Sequence, residues 1–297
     1  MSMSISFISE PQGYCIDMEK ATICSSVTSY GKFHNMAKPL LFTRQDAVGI
    51  ISINDAPYNR MTLDFIDQME ELVSEVAADD SIRAVVLTGE GTDNFSVGMN
   101  LKQLPEGIER AGGPDGLFDQ RLRVIAAIEN MGKPWIATMF GFCLGGGLEL
   151  PLGCHFRLAA TEGAQIGLPE MDLGTVPAWG GSARLSKRVG RDQALDMILR
   201  GKKVSGPEAL RIGLVHEVWP LEELKDKAIE LAQELAAQPA LAVRGVMEVV
   251  VGSEERPLEE LLQAERAAVY KTFGTPDQQE GMMAFIEKRK PVFNQSQ

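Results

Sequence analysis

The feature that most limits how this chain can fold is a set of short apolar runs separated by helix-like stretches. "IRAVVLTG" from Ile82, "KPWIATMFG" from Lys133 and "CHFRLAAT" from Cys154 each read as a buried strand. Helix-like sequence lies between the second and third. Strands punctuated by helices of this kind point to βα units and a largely parallel sheet, so an α/β fold is expected.

The flanking segments sharpen this reading. "LLFTRQDAVGIISIN" from Leu40 offers two short β-like runs around Gln45-Asp46, a hairpin signal. "TLDFIDQMEELVSEVA" places Ile66, Met69, Val73 and Val76 on one face, with Thr62 as N-cap, and predicts a helix. Between Lys102 and Phe118 the cluster Gly112-Gly113-Pro114-Asp115 marks a flexible loop. After "GLVHEVWP" the sequence turns helical through Glu222 to Gln238, "LAVRGVMEVV" and two amphipathic runs ending near Lys290. Three regions follow: an irregular, Ser- and Thr-rich extension over residues 1–36, a core over 37–220 and a helical layer over 221–297.

Charge and side-chain inventory remove several functions. The net charge is -12, and no basic run is present that would track a phosphate backbone, which argues against nucleic acid as a general partner. A few local lysines can still receive an anionic ligand. Four cysteines and three histidines show no metal-ligand spacing, so no metal site is expected. Cys143 and Cys154 read as buried free thiols of a reducing compartment. No stretch approaches the roughly 20 apolar residues that span a bilayer, and the first 36 residues resemble neither a signal nor a transit peptide. A cytoplasmic protein without membrane partners is expected.

Gly89-Glu90-Gly91 follows a strand, but Asn94 stands where a dinucleotide fingerprint needs its third glycine. Phosphate-loop and nucleophile-elbow patterns are also missing. A more informative stretch is "FGFCLGGGLELPLG", Phe140 to Gly153. Glycine inside a helix costs about 0.5 to 1 kcal/mol relative to alanine, so Gly145-Gly146-Gly147 is expected at a helix start. Exposed N–H groups there, at the positive end of the helix dipole, favour a negative oxygen. Tight strand-to-helix packing explains the glycines equally well. Glu149 follows among Leu148, Leu150 and Leu152, an apolar setting that makes a merely solvated acid less natural. Glu170 sits in a comparable apolar, glycine-bracketed loop, "AQIGLPEMDLGTVPAWGG". The two acids are 170 minus 149, or 21, residues apart, so only the tertiary fold can bring them together.

These segments, with "FSVGMNLKQL", "EALRIGLVHEV" and "EGMMAFIEKRKPVF", resemble the crotonase (enoyl-CoA hydratase/isomerase) superfamily from about Pro39 to Phe293. The resemblance implies a crotonase-like ββα spiral with a C-terminal helical trimerisation region, giving a homotrimer or homohexamer. It implies that the N–H groups of Met99 and Gly146 form an oxyanion hole for an acyl-CoA thioester, and that Glu149 and Glu170 are the two catalytic glutamates. Lys102, Phe285 and Lys288 match residues that contact coenzyme A. The activity implied is enoyl-CoA hydration, a reversible syn addition of water with coenzyme A as part of the substrate and no separate cofactor. An isomerase using one acid, another acyl-CoA lyase or hydrolase, and a non-catalytic acyl-CoA- or RNA-binding relative are the alternatives. The chain departs from the usual pattern at Val97-Gly98-Met99-Asn100, at Pro151 and His155, by one residue near Thr161-Glu162-Gly163, and at Trp179. Trp179 either reshapes the acyl pocket or is a core tryptophan beside it.

Overall fold

A computed structural model of the chain describes residues 38–295 other than Glu254. The extension over residues 1–36 lies outside the described residues. Among those described, the elements are β1 (Leu40–Gln45), β2 (Val48–Ile53), α1 (Leu63–Ala78), β3 (Ala84–Gly89), α2 (Leu104–Arg110), α3 (Pro114–Glu129), β4 (Trp135–Met139), β5 (Phe142–Leu144) and α4 (Gly146–Leu152). They continue with β6 (Phe156–Ala160), β7 (Gln165–Gly167), α5 (Gly181–Val189), α6 (Arg191–Leu199), α7 (Gly206–Arg211) and β8 (Glu217–Trp219). Four helices close the chain: α8 (Leu221–Ala236), α9 (Ala240–Gly252), α10 (Leu258–Thr272) and α11 (Pro276–Glu287).

The main sheet has six strands in the order β1-β2-β3-β4-β6-β8. Only the β1–β2 hairpin is antiparallel, turning at Asp46 and Ala47, and every later pairing is parallel. Every residue of β2, β3 and β4 is buried, which explains why these strands read as unbroken apolar runs rather than alternating ones. α1 forms as its spacing predicts: the Thr62 hydroxyl accepts from the Phe65 N–H at 3.1 Å, and Ile66, Met69, Val73 and Val76 are buried. Its C-terminal end is held by Lys133, whose Nζ donates to the Val76 and Asp79 carbonyls.

Two expectations change. The segment from Lys102 to Phe118 is helical, not a flexible loop. A 3-10 turn at Leu101–Gln103 runs into α2, and α3 starts on Pro114, whose fixed φ suits the first helical position. Gly112 and Gly113 form only the break between the two helices. The close fit of Gly107, where an added Cβ would lie 2.8 Å from Leu63 and 2.9 Å from Leu117, shows why this helix pair is held. The C-terminal helices also do not form one separate layer. α8 packs on β2, β3, β4 and β6 through Leu224, Ala228, Ile229 and Ala232, so it belongs to the core. α9, α10 and α11 instead bury few residues each and keep large apolar side chains exposed.

No single helix among the described residues is long and apolar enough to cross a membrane, and none of their His, Cys, Asp and Glu side chains form a group suited to a metal.

Candidate active site

The site is assembled by a small second sheet. β5 and β7 pair in parallel with Leu144 opposite Gly167, and the Gly145 N–H donates to the Gly167 carbonyl at 3.1 Å. The chain leaving β7 through Leu168 and Pro169 is thereby laid over the start of α4. There Glu170 opens a 3-10 turn, Glu170–Leu173, within reach of the glycines.

Each of the three glycines meets a different neighbour. Gly145 has φ +56°, a left-handed backbone that disfavours a side chain, and a Cβ there would lie 3.0 Å from Glu170 Oε1. A Cβ on Gly146 would lie 2.6 Å from Cζ3 of Trp179, and one on Gly147 would strike the Ser96 carbonyl. Close approach by an acid, an indole and the Ser96 backbone is therefore what this triplet allows.

Met99 is carried to the same place by the segment beyond β3. Ser96 pairs with this sheet by receiving the Leu144 N–H and donating its own N–H to Phe142. The Ser96 hydroxyl accepts from the Gly98 N–H at 3.0 Å and donates to the Asn59 carbonyl at 2.6 Å, tightening the turn. Gly98, at φ +86°, then lies so close that a Cβ would sit 3.1 Å from the Gly146 nitrogen. Met99 and Gly146 thus belong to adjacent backbone, and neither N–H donates to a described residue. Gly146 is the first residue of α4, where N–H groups have no partner within the helix.

All seven residues of α4 are buried, Glu149 included at 3% exposure. Pro151 has no N–H for the Gly147 carbonyl one turn earlier, and the Cys143 thiol donates to that carbonyl instead, at 3.1 Å. Glu149 Oε1 accepts the Trp179 N–H at 2.7 Å and the Gly181 N–H at 2.9 Å. Burial still dominates and pushes its pKa up to about 7, against the two N–H donors and with help from the negative charge of Glu170. Burial also raises the pKa of Glu170, whose Oε2 is buried without a hydrogen-bond partner among the described residues. Both carboxyls are thus shifted toward the protonated form, Glu149 the more deeply buried of the two.

The turn carrying Trp179 is braced by two arginines. Arg184 pairs with Glu129 at 2.8 Å and donates to the Trp179 carbonyl at 3.2 Å, while the Arg121 guanidinium lies 5.7 Å from the centre of the Trp179 ring. Trp179 is 5% exposed and touches Gly146, so the two sequence readings of this residue merge: it is a buried residue and also a wall of the site. His155 lies elsewhere. Its Nδ1 accepts the Trp135 N–H, Nε2 faces the Glu129 carbonyl at 3.1 Å, and burial lowers its pKa to about 4, the profile of a neutral structural imidazole.

The structure therefore brings together Met99, Gly146, Glu149 and Glu170. Lys102 is exposed on the 3-10 turn three residues beyond Met99. Phe285, 85% exposed, and Lys288 lie at the end of α11, and no hydrogen bond or ion pair joins them to the carboxyls within one chain. Sequence reading missed the Trp179 and Gly181 N–H groups that hold Glu149. Glu149 lies 30 and 32 residues from these two donors, so no local sequence signal pairs them. It also missed Arg121, although its spacing places it on the face shared by Leu117, Val124, Ile125 and Ile128.

Residues 43–296 match the family described as enoyl-CoA hydratase/isomerase. The chain is 36% identical to a probable enoyl-CoA hydratase of Rhizobium meliloti, covering 86% of this chain and 97% of the relative. It is 32% identical to a short-chain-enoyl-CoA hydratase of Clostridium acetobutylicum, over 84% of this chain and 95% of the relative. Among solved structures, an enoyl-CoA hydratase from Bacillus anthracis superimposes with a TM-score of 0.81 at 31% identity, covering 87% of this chain and 100% of that one. One from Geobacillus kaustophilus gives 0.82 at 28% identity, covering 88% and 98%.

Proposed function

The chain belongs to the enoyl-CoA hydratase/isomerase family, and we propose that it is an enoyl-CoA hydratase, adding water reversibly across the double bond of a 2-enoyl-CoA thioester. The observation that carries this reading is the presence of two carboxyls, Glu149 buried and Glu170 half-buried, at one glycine-lined helix start.

The thioester oxygen is received by the N–H groups of Met99 and Gly146. As the water oxygen bonds to Cβ, the π electrons of the double bond shift toward the carbonyl, and the oxygen gains negative charge. Fixed donors stabilise that charge more in the transition state than in the substrate, and one such donor commonly contributes about 3 to 4 kcal/mol. Glu149 is anchored through Oε1, and Glu170 Oε2 is unengaged, which suits both acids to one water. The pair takes a proton from the water and supplies one to Cα, so it ends each turnover with the proton count it began with. Delivery of both groups from the same carboxyl pair favours syn addition. The addition involves no net redox change and its charge is carried by N–H donors, so the reading requires no metal or redox cofactor.

Coenzyme A binding is assigned to Lys102 on its phosphates, with Phe285 and Lys288 supplied by a neighbouring subunit. The exposed Val246, Val250, Tyr270 and Ile286 on the last three helices, with Phe273 just after α10, support assembly as a homotrimer or homohexamer. The buried free thiols Cys143 and Cys154 support a reducing, cytoplasmic setting.

Loss of the conjugated enoyl-thioester absorbance with crotonyl-CoA and longer or branched homologues tests the reading, with Glu149→Gln and Glu170→Gln as controls. The wild type is expected to consume substrate and both variants to lose about 10²-fold or more. A wild type that consumes none of the thioesters sinks the assignment. Full activity in Glu149→Gln with none in Glu170→Gln makes a one-acid isomerase the better account.

A further inference from the structure

Arg121 is a cation that hydration of a simple enoyl chain leaves unused. It occupies the core-facing side of α3 and is only 2% exposed. Its Nη1 donates to the Leu117 carbonyl at 2.8 Å and to Gln120 Oε1 at 3.3 Å, whereas Nε is buried without a partner among the described residues. No carboxylate among those residues forms an ion pair with it.

The contrast with its neighbours is informative. Arg121 lines a cavity of about 250 Å³ between α1, α2 and α3, together with Arg110 and Arg123. Arg110 is neutralised by Asp67 and Asp64, and Arg123 by Glu70. The most deeply buried of the three arginines is therefore the one lacking an acid. An unpaired buried charge is strongly unfavourable, and guanidinium does not discharge near neutral pH. Burial draws its pKa down from the ordinary arginine value, with the charge of Asp67 partly opposing.

Position gives this charge a use. The guanidinium carbon lies 5.7 Å from the centre of the Trp179 ring, and the edge of that ring touches Gly146. One indole therefore links the thioester end of the site to Arg121. An acyl chain laid from Gly146 along the indole would arrive at a cation with a vacant donor. A terminal methyl group does nothing for that donor, whereas a carboxylate meets a planar fork with charge-assisted hydrogen bonds.

We propose that Arg121 recognises a carboxylate at the far end of the acyl chain, so that the preferred substrates are 2-enoyl-CoA thioesters of dicarboxylic acids. This inference rests on the hydratase reading above. It makes Arg121 a specificity-determining residue at the tail of the substrate, remote from the water and the double bond.

The test compares kcat/KM for 2-hexenedioyl-CoA with that for 2-hexenoyl-CoA on the same preparation, a ratio from which the folded fraction cancels. The wild type is expected to favour the dicarboxylic thioester by about tenfold or more. Arg121→Met should collapse the preference and Arg121→Lys should retain part of it. A wild-type ratio at or below unity overturns the proposal, as does an unchanged ratio in Arg121→Met. If Arg121→Met does not fold, the wild-type ratio and Arg121→Lys decide. Hydration of 2-hexenoyl-CoA without any gain from the terminal carboxylate defeats this inference alone. Failure on every enoyl thioester defeats the hydratase reading itself.

Discussion

Replacing Glu149 with glutamine is expected to raise the stability of the protein relative to wild type as pH rises, while removing its catalysis. Glutamine keeps the shape of the side chain, and its amide oxygen can still accept the Trp179 and Gly181 N–H groups now bound by Oε1. What it removes is a buried charge. Burial raises the Glu149 pKa from 4.5 to about 7, so below 4.5 the acid is protonated in both folded and unfolded chains and imposes no charge penalty. Between these values the unfolded chain ionises first, and stability falls as pH rises; above about 7 the folded carboxyl ionises too and the cost levels off. A rise from 4.5 to about 7, at about 1.36 kcal/mol for each tenfold change in proton affinity, gives roughly 3 kcal/mol. The stability of Glu149→Gln relative to wild type should therefore improve by about 3 kcal/mol between about pH 4.5 and about pH 8. Any fixed cost of burying the amide is the same at both ends and cancels. Urea denaturation of both proteins at matched pH and protein concentration measures the difference. A stability difference that does not change with pH would refute the assigned burial of charge at Glu149, whatever happens to activity.

Three further outcomes follow from the same geometry. Gly146→Ala must displace the Trp179 indole, since its Cβ would lie 2.6 Å from Cζ3; a loss of about 1 to 3 kcal/mol is expected in denaturant melts. Trp179→Leu in the same chain should recover part of that loss, and strict additivity of the two changes would contradict the contact. Gly98→Ala forces a side chain onto a backbone at φ +86° and within 2.7 Å of the Leu144 carbonyl, so kcat for crotonyl-CoA should fall by about 10²-fold or more; unchanged kcat would separate this turn from catalysis. Thr62→Ala deletes the N-cap of α1 and should lower stability by about 1 kcal/mol, read from the urea midpoint.

Much of this molecule was legible locally. The β1–β2 hairpin, the buried strands β3, β4 and β6, and α1 with its Thr62 cap follow from periodicity and turn chemistry within a few residues of each element. The helix start at Gly146 was legible for the same reason. The segment before α3 was not. Its Gly-Gly-Pro cluster gives the same local signal for a loose loop as for a tight break between helices, and Leu63 and Leu117 packing against Gly107 selects the latter. The end of the core was also unreadable, because the amphipathic pattern of α8 does not say which surface it will cover.

The sequence by itself determined where donors and acids stand along the chain: Met99, Gly146, Glu149 and Glu170 were all nameable from motif and resemblance. Only the tertiary structure decided that they meet. Parallel pairing of β5 with β7 carries Glu170 across 21 residues to the start of α4, the Ser96 segment carries Met99 to the same place, and the Trp179 turn closes over Glu149. The physical reason is that a hydrophobic period and a cap are properties of neighbouring residues. The pKa of Glu149 and the missing partner of Arg121 depend on what is packed against them from remote parts of the chain.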